Sequence, residues 1–407
     1  MKLFHHKIKP FLRDNRHHFN NIFWSNLNLA ITTLVALALS IVFIRMGSKE
    51  LYGQYLFILS TFGLFSVMAV PGVRTVIFRA VSQGREGVYS KATNFSFMWS
   101  LLGIPLLLLA GLYFYFFKAK ILGISLMSSA IFLPFIASLQ NWIPFLKGRS
   151  FFKKLVAYCT IQSFVTFLAV ISVILTKNII IIIIIYLSVR SIFNIIYHFK
   201  SLKLLANKKD DDGWKKQSFA LSIIDFSSLM FGQLDIILIG ILLPIGQVAI
   251  YGLVMSFIGI FIKGIKSTLE AILPKLYSDD SFVIKSFYKY FLASFFIPLI
   301  LYPLIKYPII LVYGNEYTEV IRLSKIYLFV IPFYFLFSIS HYFLVKYKLN
   351  KQININKITS IIVVIALYVI LIPIYGIIGG VIASMAYFLV QVILNIRSLN
   401  KYHCAFS

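Results

Sequence analysis

Apolar and polar positions alternate along this chain in long blocks, without the three-to-four-residue rhythm of a helix that faces water on one side. About twelve apolar stretches stand out, approximately 24–44, 53–77, 95–117, 121–145, 155–175, 179–197, 219–243, 248–273, 287–312, 326–345, 358–374 and 376–396. Each reaches the roughly 17 residues that a helix needs at least to cross a bilayer. The pattern predicts an all-α polytopic membrane protein with about 12 transmembrane helices. Pro71, Pro105, Pro134, Pro298 and Pro332 lie inside these stretches and predict kinks, because each lacks the N–H that would close the turn behind it.

The gaps carry the orientation. Most of the 39 Lys and Arg residues fall in every second gap, on the side of the N-terminus. By the positive-inside rule both termini are expected in the cytoplasm. The first apolar stretch follows Lys2, Lys7, Lys9, Arg13 and Arg16 and is too long for a signal-peptide core, so it is expected to stay as an anchor. The longest polar insertion, 200–216, contains Lys208, Lys209, Asp210, Asp211, Asp212 and Gly213 and falls near the middle. It divides the chain into an N-lobe of helices 1–6 (1–200), a cytoplasmic linker (201–217) and a C-lobe of helices 7–12 (218–407).

The halves are weakly similar. Ile44-Arg45-Met46-Gly47 with Tyr52-Gly53 corresponds to Leu238-Ile239-Gly240 with Tyr251-Gly252, and Asn21, Ser25 and Asn28 correspond to Ser218, Ser222 and Asp225. Both halves start on the same side, so the repeat is parallel. Such a pseudo-repeat predicts two six-helix lobes related by an axis along the membrane normal, with a substrate path between them.

Composition narrows the function. With 60% hydrophobic and 13% charged residues, little sequence remains for a separate soluble domain. A net charge of +26 would point to nucleic acid in a soluble protein. Here the cations stand where helices leave the membrane, so the phospholipid bilayer with its anionic headgroups is the expected partner and nucleic acid is not. Two cysteines, Cys159 and Cys404, predict neither a disulfide framework nor a metal cluster. No G-x-x-x-x-G-K-[ST], H-E-x-x-H, G-x-S-x-G or C-x-x-C sequence occurs. The expectation is a protein without a catalytic centre, metal or cofactor.

Charged side chains within spans are costly, about 2.5–3.5 kcal/mol each at a helix centre, so they mark candidate sites. Asp225 and Asp235 share the seventh span, about 80° apart around it and about 15 Å along it, too far to act as one carboxylate pair. On the eighth span Lys263, Lys266 and Glu270 form one face with Ser256 and Ser267, which must line water or meet a polar helix, unless Lys266 and Glu270 pair locally or snorkel to the boundary. Asn21, Ser25, Asn28 and Thr32 form a stripe on the first span suited to packing or to lining a cavity. Arg74 and Arg79 close the second span, where anchoring would also explain them. Arg45 stands on the outer side, where cations are scarce. His341 reads as a packed histidine, and Gly376, Gly380 and Ser384 as a small-residue stripe for close helix approach.

The stretch Phe43-Ile44-Arg45-Met46-Gly47-Ser48-Lys49-Glu50-Leu51-Tyr52-Gly53-Gln54-Tyr55, then Phe62-Gly63-Leu64, Pro71-Gly72-Val73-Arg74 and Arg79-Ala80, resembles the polysaccharide flippases. In that family the first helix ends in an Arg, Leu and Gly ahead of Tyr-Gly-x-Tyr; Met46 stands here in place of the usual Leu. In the second half, Asp235, Gly240, Tyr251-Gly252 and Pro274 continue the likeness. The resemblance implies a Wzx-type member of the multidrug, oligosaccharidyl-lipid and polysaccharide exporter superfamily. It implies a multi-pass protein of the bacterial plasma membrane that flips undecaprenyl-pyrophosphate-linked O-antigen or other oligosaccharide units by alternating access, alongside other polysaccharide-assembly membrane proteins.

A pyrophosphate headgroup suits cationic side chains, which give it charge-assisted hydrogen bonds. Arg74, Arg79, Lys263, Lys266, Asn28 and Arg45 are therefore the expected substrate-binding residues, and Asp225, Asp235 and Glu270 the candidates for coupling to a cation gradient. Two alternatives stay open. A cation-coupled multidrug exporter of the same superfamily would need a net acidic cavity. A membrane polymerase or acyltransferase would need a large basic outer loop or a His and Asp close together at a membrane face, and the sequence has neither.

Overall fold

A computed structural model describes residues 16–211, 213–278, 292 and 294–406. All regular structure among them is helical. The first half holds α1 (Arg16–Met46), α2 (Lys49–Phe65), α3 (Gly72–Ser82), α4 (Gly87–Ser100), α5 (Gly103–Phe117), α6 (Lys120–Ser129), α7 (Leu133–Ala137), α8 (Trp142–Gly148), α9 (Phe152–Ile174) and α10 (Ile179–Leu202). The second holds α11 (Trp214–Leu242), α12 (Ile245–Ser278), α13 (Ser294–Leu304), α14 (Lys306–Tyr313), α15 (Thr318–Tyr327), α16 (Val330–Lys346), α17 (Asn350–Tyr375) and α18 (Ile377–Phe406). Among the described residues 10 helical stretches are long and apolar enough to span a membrane, and the bent pair α13–α14 makes up to 11. The polytopic all-α expectation holds. The count of twelve is not reached by this measure, although α11 carries a further apolar stretch, Gly232–Leu242.

Prolines set where the spans break. A proline has no N–H for the carbonyl four residues before it, so the helix fails there. Ahead of Pro105 the Leu101 carbonyl accepts from the Ile104 N–H, three residues on instead of four, and α4 gives way to α5 at Leu101 and Leu102. Ahead of Pro134 the Ala130 carbonyl accepts from the Leu133 N–H, in the 3₁₀ turn Ala130–Phe132. Ahead of Pro332 the Leu328 carbonyl accepts from the Ile331 N–H, between α15 and α16. Pro298 sits one turn into α13 and produces no break; the 47° bend falls at Leu304, four residues before Pro308. Pro71 has the largest consequence. The second span tightens into the 3₁₀ turn Ser66–Ala69, Val70 turns left-handed (φ 56), and the chain restarts as α3. The expected span 53–77 therefore ends early, and Arg74 and Arg79 ride on a separate short helix.

The helices pack into two compact units, one of Met1–Val42 with Phe65–Phe226, the other of Phe43–Leu64 with Ser227–Ser407. These boundaries differ from the expected division at 200 and 218. The end of α1 and most of α2 pack with the second half, and the first turns of α11 pack with the first. Glycines make both exchanges possible. A Cβ on Gly53 would strike the Ile245 carbonyl oxygen, one on Gly252 the Leu56 side chain, and one on Gly240 the Phe57 ring. The matched Tyr52-Gly53 and Tyr251-Gly252 pairs thus supply the bare backbone on either side of the α2–α12 contact. In the other unit, Gly72 lies so close to α11 that a Cβ would meet the Ser218 carbonyl.

The first unit has a core of Ile77, Val81, Tyr89, Trp142, Phe145, Leu155 and Tyr197, onto which Trp214 docks from the start of α11. Asn194 ties three helices together there: its Oδ1 accepts from Trp142 Nε1 and Gln162 Nε2, both at 3.2 Å. Asn356 and Asn395 do the same in the second unit, with Asn356 Nδ2 donating to Asn395 Oδ1 at 2.9 Å and Asn395 Nδ2 to Ser340 Oγ at 3.1 Å. Polar side chains of this kind glue helices where hydrophobicity gives no preference.

The expected linker is pinned down by charge. Glu86 is buried, pairs with Arg149 at 3.3 Å and accepts the Ala206 N–H at 2.6 Å. Arg85 meets Asp211 at 2.7 Å and Lys91 meets Asp210 at 2.5 Å. Asp212 lies outside the described residues.

Candidate functional site

The α3 helix buries Val73, Val76, Ile77, Ala80 and Val81 and exposes Arg74, Phe78 and Arg79. Its start is fixed against α11 by a donor that a helix N-terminus leaves over: Gly72 N donates to Ser222 Oγ at 2.9 Å, while that hydroxyl donates to the Ser218 carbonyl at 2.7 Å. This register brings Arg74, two residues on, within electrostatic reach of Asp225, three residues after Ser222. Arg74 also directs Nη2 towards the Ala137 carbonyl at the end of α7, at 3.4 Å. The result is an exposed guanidinium that leans on a peptide carbonyl, with a carboxylate within electrostatic reach and donors remaining for an anion. Asn28 belongs to the same unit. Its side-chain oxygen is buried without a hydrogen-bond partner among the described residues, while its carbonyl accepts from Thr32 Oγ1 at 2.8 Å.

Arg45 directs two of its three nitrogens to the end of a helix. Its Nε and Nη2 donate to the Val312 carbonyl, each at 3.2 Å, and Nη2 reaches the Leu311 carbonyl at 3.4 Å. These are among the last carbonyls of α14, which ends at Gly314 with φ 95. A cation there satisfies unpaired acceptors and the negative end of the helix dipole. A basic residue on the side where cations are scarce is explained by this cap.

Asp235 sits in the second unit, in surroundings unlike those of Asp225. Tyr251 OH donates to its Oδ2 at 2.9 Å, and the Ile236 N–H to its Oδ1 at 2.7 Å. Tyr251 and Tyr368 hydroxyls are 3.5 Å apart, and both residues are buried. The carboxylate thus meets a tyrosine hydroxyl from α12, which is backed by one from α17. The tyrosines were missed in the sequence because they read as part of apolar spans; the signal was Tyr251, in the motif that repeats Tyr52-Gly53.

Lys263 and Lys266 are exposed on α12, on the face that Ser256 shares. Glu270 lies on the same helix, but its side chain is outside the described ones. The structure brings Arg74 and Asp225 together within one unit and places Asp235, Lys263 and Lys266 in the other. His341 stacks on Phe337 with ring centroids 5.8 Å apart, a packed histidine. Gly376 does not belong to a small-residue stripe: it is the turn between α17 and α18, with φ 60. Gly380 gives room to Ile239, and the Ser384 hydroxyl donates to the Val381 carbonyl at 2.8 Å.

No family model matches this chain, and no curated protein does. Solved structures do. The lipid II flippase MurJ in an inward closed conformation aligns with a TM-score of 0.70 at 17% identity, over 93% of this chain and 87% of that one. A multidrug resistance MATE family transporter of the MOP superfamily, in its inward-facing conformation, aligns with 0.70 at 12% identity, over 91% and 95%. A MOP superfamily transporter from Pyrococcus furiosus, described by the reverse polarity of its binding pocket, aligns with 0.61 at 14%, over 95% and 96%. With an all-helical, polytopic architecture and near-complete coverage of both kinds of exporter, this chain has the fold of the MOP transporters.

Proposed function

We propose that this protein flips undecaprenyl-pyrophosphate-linked oligosaccharide units across the bacterial plasma membrane by alternating access, with both termini in the cytoplasm. The observation that carries the reading is Arg74, an exposed cation oriented by Asp225 on a helix that starts at a membrane-span break. Its guanidinium offers paired donors to a pyrophosphate. Arg79, on the same exposed face, adds charge. Lys263 and Lys266 are the further cations proposed for the headgroup, and Asn28 is a proposed polar contact for the substrate. Arg45 directs Nε and Nη2 to the end of α14 and keeps Nη1 for the headgroup. Asp235, which accepts from the Tyr251 hydroxyl, is the coupling residue, with Glu270 as a second candidate. Asp225 positions Arg74. Other polysaccharide-assembly membrane proteins are the expected partners. The lipid-linked substrate named for MurJ, a protein of the same fold, supports a lipid-linked cargo here.

A cation-coupled multidrug exporter is the second reading, favoured by the equal likeness to a MATE transporter. One experiment separates them. In cells whose surface polysaccharide depends on this protein, Arg74→Ala and Lys263→Ala, expressed at normal levels, are expected to cut glycan export, with no drug resistance conferred by the parent protein. Full export by both variants, or drug efflux without glycan export, overturns the proposal.

A further inference from the structure

The second unit contains a cavity of about 290 Å³ that none of the roles above uses. Its wall includes Pro244 and Gln247 at the start of α12, Glu319 and Arg322 on α15, and Tyr375 and Gly376 at the turn into α18. By the distribution of Lys and Arg, all three segments belong to gaps on the outer side. We infer that this cavity is a subsite for one neutral hexopyranose unit of the transported glycan, an inference that rests on the flippase reading.

The chemistry of the wall points to a sugar. Glu319 and Arg322 are one helical turn apart and both exposed, yet they form no ion pair, and no side-chain hydrogen bond among the described residues engages either. Gln247 Oε1 is buried and has no hydrogen-bond partner among the described residues. A carboxylate only accepts, a guanidinium only donates, and an amide does both. Neighbouring sugar hydroxyls each donate and accept, so a pyranose presents the complementary set. Two helices, α12 and α18, also begin at this wall, and the first N–H groups of a helix lack intrahelical acceptors. Tyr375 is 58% exposed and supplies an aromatic face at the rim, against which the C–H face of a pyranose can lie. Gly376, at φ 60, makes the turn that places this ring there. The mixed charge disfavours a simple anion, since Glu319 would repel it. The volume is at the lower limit for small-molecule pockets of about 300 Å³, which suits a single sugar ring.

The test uses the purified full chain in lipid nanodiscs and saturation-transfer NMR with methyl glucoside, methyl galactoside and methyl glucuronide. The neutral glycosides are expected to bind saturably, and Glu319→Gln and Arg322→Ala each to weaken binding about tenfold or more without lowering the unfolding temperature. Tyr375→Ala provides a further variant outside any helix interior and is expected to weaken binding severalfold. Absence of binding by the neutral glycosides, binding of the glucuronide alone, or unchanged binding in both charge variants overturns the inference. Because no transport is measured, the two proposals fail separately. Glycan export by a protein that binds no glycoside removes only the subsite; glycoside binding by a protein that exports drugs and no glycan removes only the flippase reading.

Discussion

Asp225 and Asp235 stand on the same helix and carry the same side chain, yet their surroundings differ. Asp225 lies within electrostatic reach of the Arg74 guanidinium. Asp235 accepts from the Tyr251 hydroxyl and the Ile236 N–H, both neutral donors. The lesson concerns neighbours: a carboxylate beside a fixed cation is a positioning group, while one held by neutral donors is free to exchange a cation or proton as the protein turns over.

Substitutions at Asp235 are expected to have the largest effect. Asp235→Asn keeps an acceptor for Tyr251 and is expected to fold, but to lose gradient-driven transport by more than about tenfold, equivalent to about 1.4 kcal/mol in the driving step. Transport into vesicles with and without an imposed gradient measures this. An unchanged gradient response would remove the distinction between the two aspartates. Asp235→Leu is expected to be worse for stability, by about 1–3 kcal/mol, because the buried Tyr251 hydroxyl loses its acceptor.

Next in size is the contact that pairs Arg74 with Asp225. Gly72→Val pushes a side chain into the Ser218 carbonyl and the Ser222 amide, and overpacking of this kind costs about 1–3 kcal/mol. Lower thermal stability is expected together with weaker headgroup binding. Normal values of both would mean that α3 is not held by this contact.

Asp225→Asn should act more mildly and in the opposite sense on binding. Removing a negative charge beside Arg74 is expected to tighten pyrophosphate binding severalfold while slowing turnover, because release becomes harder. A loss of binding would make Asp225 a direct ligand instead.

The smallest effect is expected at the linker, where Asp210 meets Lys91 in partial exposure. This hydrogen bond holds the Asp210 carboxyl below its ordinary range, with some opposition from burial. Its folded pKa is depressed, so the contribution is present above the unfolded value of about 3.9 and lost as pH falls through the folded one. Lys91→Ala should cost no more than about 1 kcal/mol at neutral pH, and this difference should vanish in acid. Thermal unfolding across pH measures both.

Much of this was legible in the residues. Apolar block length placed the spans, and prolines announced most of their breaks, although the carbonyl four residues earlier decides the position, as Pro71 and Pro308 show. The unusual charges within spans were legible one at a time. Their partners were not, since Arg74 meets Asp225 only after Pro71 detaches α3 and Gly72 lets it approach α11. Arg45 was legible as a cation rare on that side, while the carbonyls it meets at the end of α14 were not. The tyrosines around Asp235 were hidden by being half apolar. The linker was read as a simple connection, whereas Glu86, Arg149, Asp210 and Asp211 fasten it to neighbouring loops.

The central claim, that Arg74 receives the pyrophosphate, is tested most directly by titrating undecaprenyl pyrophosphate into the purified protein in nanodiscs. Arg74→Ala is expected to weaken binding at least about tenfold, a difference of about 1.4 kcal/mol, with Arg74→Lys in between because a point charge replaces a bidentate fork. Equal affinity of Arg74→Ala and the parent protein would contradict the account.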